Sequence, residues 1–229
     1  MSKKNSKIKF TAVTIAWTEG ASLQMKIKAR AESKISVAWG NGRNTQHLFH
    51  TETCMDFVNY YSQRKIPLSG QRFHVEISAK NSDCSIIGFC MGGDMKIVDL
   101  DVSNCPELEH LYYFDYNHGE PCNLDLSRNV ALKYLYCASN DLTSLDLSNN
   151  TALEVINCRS NRLSHLSLTN NFRLVELNCE YNEMKRLSIG YAPHLREANF
   201  EDGNHIDEAT KLQIQYIIAE NAENNLEIY

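Results

Sequence analysis

Cys137, Cys158 and Cys179 stand 21 residues apart in one local frame, Leu135-Tyr136-Cys137, Ile156-Asn157-Cys158 and Leu177-Asn178-Cys179. Thiols at a fixed interval can bind a soft metal, pair as disulfides or act as nucleophiles, and each chemistry makes its own geometric demand. A second recurring set is Asp101, Asp125 and Asp146, and carboxylates stacked one strand spacing apart could hold calcium, which wants several hard oxygens. A third is Asn140, Asn161 and Asn182, an amide column suited to satisfying buried backbone groups. Which chemistry applies depends on the elements that carry these residues.

Those elements repeat. Leu100-Asp101-Val102-Ser103, Leu124-Asp125-Leu126-Ser127, Leu145-Asp146-Leu147-Ser148, Leu166-Ser167-Leu168-Thr169 and Leu187-Ser188-Ile189-Gly190 share one frame, with first leucines 24, 21, 21 and 21 residues apart. Between them runs L-x-x-L-x-C-x-x-N-x-L: Leu132, Leu135, Cys137, Asn140, Leu142, then Leu153, Ile156, Cys158, Asn161, Leu163, then Leu174, Leu177, Cys179, Asn182, Met184. Leu108, Leu111 and Tyr113 hold the frame earlier, before it slips by three residues at Asn117-His118-Gly119-Glu120-Pro121, and Leu195, Ala198 and Phe200 close the array.

This pattern resembles the leucine-rich repeat family, in the short-repeat variety common in bacterial proteins, with Cys in place of the third Leu. The resemblance covers Ser85 to Gly203, just over half the chain. It implies a right-handed solenoid with one short parallel strand per turn on the concave side. In such a strand the alternation sends Leu135 and Cys137 into the core and turns Tyr134, Tyr136 and Ala138 outward. Cys90, Tyr113, Cys137, Cys158, Cys179 and Phe200 then form an internal column. A column that accepts Tyr and Phe is not a ligand set, and in-register parallel side chains do not present the crossed geometry of a disulfide. The thiols read as small buried apolar groups. The Asp residues of L-D-L-S read as caps on free backbone N–H groups, in preference to calcium ligands. Cys105 occupies the slot held by Asn129, Asn150 and Asn171 and is expected to replace a turn residue.

Ahead of the repeats the period is two. Val13, Ile15 and Trp17 alternate, as do Leu23, Met25 and Ile27, then Ile35, Val37 and Trp39, then Phe73, Val75 and Ile77, which predicts half-buried antiparallel strands. Gly40-Asn41-Gly42 is a turn signal. The W-G-N-G stretch is similar to small β-sandwich modules that precede such repeats, although those carry Asp where Asn41 stands. Residues 51–70 show no clear rhythm. At the other end, Ala209, Leu212, Tyr216 and Ala219 recur at helical spacing over Ile206 to Asn221, which predicts a terminal helix with Asp207 as N-cap. Ile214 and Ile218 lie on another side of it, so cover from two directions is expected. The fold expected is mainly β: an antiparallel β domain over 1–84, a repeat solenoid over 85–205 and a helical cap over 206–229, the cap shielding the open end of the array.

The chain has 229 residues, 23 Lys plus Arg against 28 Asp plus Glu, and a formal net charge of −5, which gives no basic stripe for nucleic acid. No uncharged apolar run approaches the roughly 18 residues of a membrane span. The opening MSKKNSKIKF lacks the apolar stretch of a secretory signal. The expected compartment is therefore the cytoplasm if Met1 is the native start, and the cell surface or outside if a leader precedes this chain. Catalytic signatures are absent: no G-x-x-x-x-G-K-[ST], G-x-G-x-x-G, H-E-x-x-H, G-x-S-x-G or C-x-x-C. His47, His50, His74, His110, His118, His165, His194 and His205 form no metal-ligand pattern with cysteines or carboxylates. A non-catalytic protein with no cofactor and no metal is expected. A thiol-dependent enzyme using Cys54 or Cys122 with a distant His is an alternative.

The outward strand positions carry the functional expectation. Three columns line the concave face if the family geometry holds: Ile87, His110, Tyr134, Val155, Glu176, Glu197; then Phe89, Tyr112, Tyr136, Asn157, Asn178, Asn199; then Met91, Phe114, Ala138, Arg159, Glu180, Glu201. The first turns are aromatic and apolar, the later ones acidic and amide-bearing. Phe89, His110, Tyr112, Phe114, Tyr134 and Tyr136 are expected to bind a protein segment or a glycan, with Arg159, Glu176 and Glu180 beside them and Glu197 and Glu201 helping to steer a basic portion of the partner. In the competing reading the N-terminal domain or a second copy of the chain covers the patch, making the protein a structural or self-associating one.

Overall fold

The computed structural model describes residues 7–14, 22–30, 32–39, 42–49, 53–60, 72–79, 86–93, 95–113 and 124–226. Eight longer strands come first: β1 (Lys7–Thr14), β2 (Ser22–Ala29), β3 (Ser33–Ala38), β4 (Asn44–Phe49), β5 (Thr53–Tyr60), β6 (Arg72–Ala79), β7 (Ile86–Gly93) and β8 (Met95–Asp101). Short strands follow: β9 (His110–Tyr113), β10 (Tyr134–Tyr136), β11 (Val155–Asn157), β12 (His165–Leu168), β13 (Glu176–Asn178), β14 (Arg186–Ile189) and β15 (Glu197–Asn199). Helix α1 (Glu208–Leu226) closes the array.

The protein is mainly β, with antiparallel sheet leading into a short β-solenoid of parallel strands. One five-stranded sheet has the order β4-β3-β6-β1-β8, and a second, eight-stranded sheet runs β15-β13-β11-β10-β9-β7-β2-β5. Within the second sheet, β5, β2 and β7 pair antiparallel, whereas β7 and every strand beyond it pair parallel. The pairings β1–β8 and β2–β7 join chain on either side of residue 84. One apolar cluster reaches from Ile8 and Met25 through the repeat leucines to Ile214.

Local chemistry accounts for these elements. In β3, Ser33, Ile35 and Val37 are buried while Lys34 is exposed, the alternation of a half-covered strand. The Trp39 N–H donates to the Arg43 carbonyl at 3.0 Å across the glycine turn, and Gly42 has φ +85°, a conformation L side chains disfavour. β5 falls in the stretch that showed no rhythm; among the described residues it is an edge strand, paired with β2. The last two turns also carry a second short strand each, β12 and β14, paired with one another, so one strand per turn describes only the concave side.

Each repeat turn is closed by side chains as well as backbone. The carboxylates of Asp101, Asp125 and Asp146 accept the N–H of Ser103, Ser127 and Ser148 at 2.9, 2.9 and 3.0 Å, the capping expected of L-D-L-S. The Ser127 hydroxyl and then its N–H hold the Asp125 carboxyl below the usual range, and the Ser148 N–H and then its hydroxyl do the same for Asp146. Asn161 Nδ2 donates to the carbonyls of Cys137 and Cys158, both at 2.9 Å, and its Oδ1 accepts the N–H groups of Asn140 and Leu142, both at 3.0 Å. Asn129, Asn150 and Asn171 form a second amide column, each donating to two carbonyls of the preceding turns. Cys105 holds the equivalent turn: its N–H bonds the Val102 carbonyl, as the Asn129 N–H bonds that of Leu126.

Asp207 caps α1, accepting the Thr210 N–H at 3.0 Å. Of the two sides that carry apolar residues, one faces outward: Leu212 is 59% and Tyr216 66% exposed, with Ala209 and Ala219 also outward, in place of the expected cover from two directions. Ile214 and Asn221 are buried instead, and Asn221 Nδ2 donates to the carbonyls of Ala192 and Leu195. A helix with apolar residues on two sides does not say from its periodicity which side is dry; the open carbonyls of the last turn select the side bearing Asn221.

Candidate functional site

The eight-stranded sheet sets its outward rows by register. Gly88, His110, Tyr134, Val155, Glu176 and Glu197 are successive partners in one row, and Cys90, Tyr112, Tyr136, Asn157, Asn178 and Asn199 in the next. From His110 onward these are the expected columns. At β7 the expectation is off by one residue. Phe89 pairs with Leu111 and is 1% exposed, so it is a core residue and not part of the face; Ile87 is buried as well. Cys90 is half-buried on the outward row and leaves the internal column, which the buried Tyr113, Cys137, Cys158, Cys179 and Phe200 do form. The cause is β2: its buried residues include Ile27, which faces Phe89 in the antiparallel register, and a one-residue slip would turn both strands' apolar sets to water.

On this face the aromatic residues stack across strands. The His110 and Tyr134 rings lie 4.8 Å apart at 5°, and those of Tyr112 and Tyr136 4.7 Å apart at 8°. Such pairs stabilise by about 0.5–1.5 kcal/mol beyond burial. All four are half-buried, so each stack keeps ring surface towards solvent. Their rims are held in place by polar contacts. Tyr134 donates its hydroxyl to Glu154 at 3.0 Å, and Lys133 Nζ reaches Glu109 at 2.9 Å. The Glu154 bond raises the Tyr134 hydroxyl above its ordinary value, and burial raises those of Tyr112 and Tyr136. All three phenols are therefore neutral donors at physiological pH. Phe114, expected in the patch, lies outside the described residues.

Beyond the stacks the face turns acidic. Glu176 and Glu197 are exposed, and the Glu176 carboxylate makes no hydrogen bond or ion pair among the described residues. Arg159 lies beside them, its guanidinium 4.7 Å over the Tyr181 ring and 4.0 Å from Glu180. Tyr181, 46% exposed and in the left-handed region at φ 51°, is a neighbour the repeat pattern did not single out.

At the opposite end the structure adds residues that the sequence left out. Lys26, Lys28, Gly88, Phe89, Cys90, His110 and Tyr112 line a hollow of about 340 Å³. Gly88 makes the space: a Cβ there would lie 2.8 Å from the Lys28 Cβ and 3.6 Å from the His110 Cβ. Alternation in β2 marks Lys26 and Lys28 as outward, yet nothing in the sequence says that β2 borders the first repeat strand. A larger hollow, about 740 Å³, lies between α1 and residues 189–194, away from the stacks.

The buried thiols among the described residues are poor nucleophiles. Burial pushes Cys158 and Cys105 up to about 12 and raises Cys137 and Cys179 as well. Cys84 and Cys122 lie outside the described residues, and of Cys54 only the backbone in β5 is described. Among the described residues no group of three or more His, Cys, Asp or Glu could hold a metal ion, and no helix is long and apolar enough to cross a membrane.

No protein-family model matches the chain, and no curated protein matches it. Among solved structures, the functional domain of InlJ from Listeria monocytogenes, described as including a cysteine ladder, is similar at 29% identity with a TM-score of 0.45. The match covers 49% of this chain and 24% of that one, so the chain spans about a quarter of that structure.

Proposed function

We propose that this is a leucine-rich repeat protein of the short, 21-residue type, and that it is a non-catalytic module binding a protein segment or glycan on the concave face. The observation that carries this reading is the pair of cross-strand ring stacks, His110 on Tyr134 and Tyr112 on Tyr136, presented side by side on one sheet face. Tyr and His combine large apolar area with few rotamers to freeze, and neutral phenols supply directional hydrogen bonds. Glu176, Glu180, Glu197 and Glu201 steer a basic portion of the partner towards the other half of the face.

The test is a paired glycan and peptide array, probed with the native chain and with a Tyr112→Ser, Tyr136→Ser double variant whose fold is checked by circular dichroism. Hits that weaken about tenfold or more in the variant support the reading, since each lost aromatic anchor costs over 1 kcal/mol. Hits that survive unchanged overturn it.

A further inference from the structure

The row that carries the first stack is incomplete. Gly88, His110, Tyr134, Val155 and Glu176 are consecutive register partners, so Gly88 stands on the side of His110 opposite Tyr134. Tyr134 covers one face of the imidazole; the other borders the hollow that the missing side chain leaves, with the Lys26 and Lys28 chains as its far wall. A planar group entering there would stack on the imidazole opposite Tyr134, with the aliphatic chain of Lys28 against its other face.

The same row ends in a carboxylate. From β7 to β13 there are four strand spacings, about 19 Å at roughly 4.8 Å each. An extended chain advances about 3.3 Å per residue, so about six residues cover that distance. The two ends differ in character, an aromatic slot beside lysines and an acidic site at Glu176 with Glu197 next to it. A peptide can carry an aromatic ring at one end and a cation at the other. A neutral sugar offers Glu176 hydroxyl donors but no charge, and an anionic one is repelled by it, whereas a Lys or Arg adds an ion pair to the hydrogen bond.

We infer that the hollow at Gly88 takes one aromatic side chain of an extended peptide, which crosses the strands so that a Lys or Arg about six residues away meets Glu176. This rests on the concave-face reading and names its partner.

The probes are fluorescein-labelled peptides of Gly and Ser, each with one Trp and one Lys at separations from about two to about nine residues in either order, to bracket the strand-crossing distance. Binding is read by anisotropy against the native chain, His110→Leu, Glu176→Gln and the Tyr112→Ser, Tyr136→Ser variant, each checked for folding by urea titration. The expected result is an optimum at about six residues in one order. His110→Leu then weakens the best peptide about fivefold through the lost ring stack. Glu176→Gln weakens it about threefold, the size of an exposed ion pair, and leaves a Lys-to-Gln peptide unaffected. Peptides that bind through the tyrosines with no preferred separation and no response to His110→Leu overturn the inference and leave the concave-face reading standing. Glycans that bind through the tyrosines, with no peptide binding, do the same. Ligands of either kind that ignore the tyrosines overturn both.

Discussion

Asn161 and Asn150 are the same residue in two columns of the same solenoid, and replacing each by Ala should cost very different amounts. Asn161 is 6% exposed; its Oδ1 accepts two backbone N–H groups, those of Asn140 and Leu142. Its Nδ2 serves the carbonyls of Cys137 and Cys158. Asn161→Ala leaves two buried donors without a partner, at about 1–3 kcal/mol each, so about 2–6 kcal/mol in total. Asn150 is fully buried and donates to the carbonyls of Leu126 and Asn129, but its Oδ1 accepts no hydrogen bond among the described residues. Asn150→Ala orphans no N–H, and it also removes a buried oxygen that has no donor. Two carbonyls lose a bond worth about 1 kcal/mol net each, and the relief offsets part of this, leaving about 2 kcal/mol or less. The comparison is read from urea titrations of both variants followed by far-ultraviolet circular dichroism. The argument requires Asn161→Ala to be the more destabilised by about 2 kcal/mol. Equal losses, or a larger loss at Asn150, would refute it by showing that the Asn140 and Leu142 amides find other acceptors.

Three further outcomes follow from the same geometry. Cys137, Cys158 and Cys179 should resist thiol-specific labelling at pH 8 in the folded chain and react on unfolding, because burial holds Cys158 up at about 12 and the other two raised; fast labelling of any of them, mapped by mass spectrometry, contradicts this. Ile214→Ala should cost about 2–5 kcal/mol, whereas Leu212→Ser and Tyr216→Ser should stay within about 0.5 kcal/mol, and the reverse order in thermal melts would place the helix on its other face. Lys133 holds the Glu109 carboxyl below its ordinary 4.5, so the pair's contribution is complete above that value and is lost as pH falls through the lowered one. The partly exposed geometry limits it to about 1 kcal/mol. Native and Glu109→Gln chains should therefore differ in stability at pH 7 and converge in acid once the pH is below the lowered value, and a gap that persists there rules the pair out as its source.

The repeat array was legible because its frame recurs without a gap from Leu132 to Met184, and a fixed interval fixes register: His110, Tyr112, Tyr134 and Tyr136 emerge in the rows their spacing implied. The thiol column was legible for the same reason, once Tyr113 and Phe200 were seen to share it. Legibility failed where a strand answers to two neighbours. β7 is parallel to β9 but antiparallel to β2, and Ile27 decides which way Phe89 points. No local period contains that information, so Phe89 and Cys90 exchange the roles their spacing suggested. The hollow at Gly88 was invisible because it is made by an absent side chain and by lysines some 60 residues earlier in the chain. Which side of α1 is covered was not legible because two apolar stripes compete on one helix. The choice between them belongs to the carbonyls of Ala192 and Leu195, which only the assembled turn presents.

The central claim is that the stacked aromatic face is a ligand site and not an interface between copies of this chain. Light scattering of the native chain beside the Tyr112→Ser, Tyr136→Ser variant, over a range of concentrations, tests it most directly. The account predicts one monomeric mass for both proteins. A native dimer that the double substitution splits would contradict it.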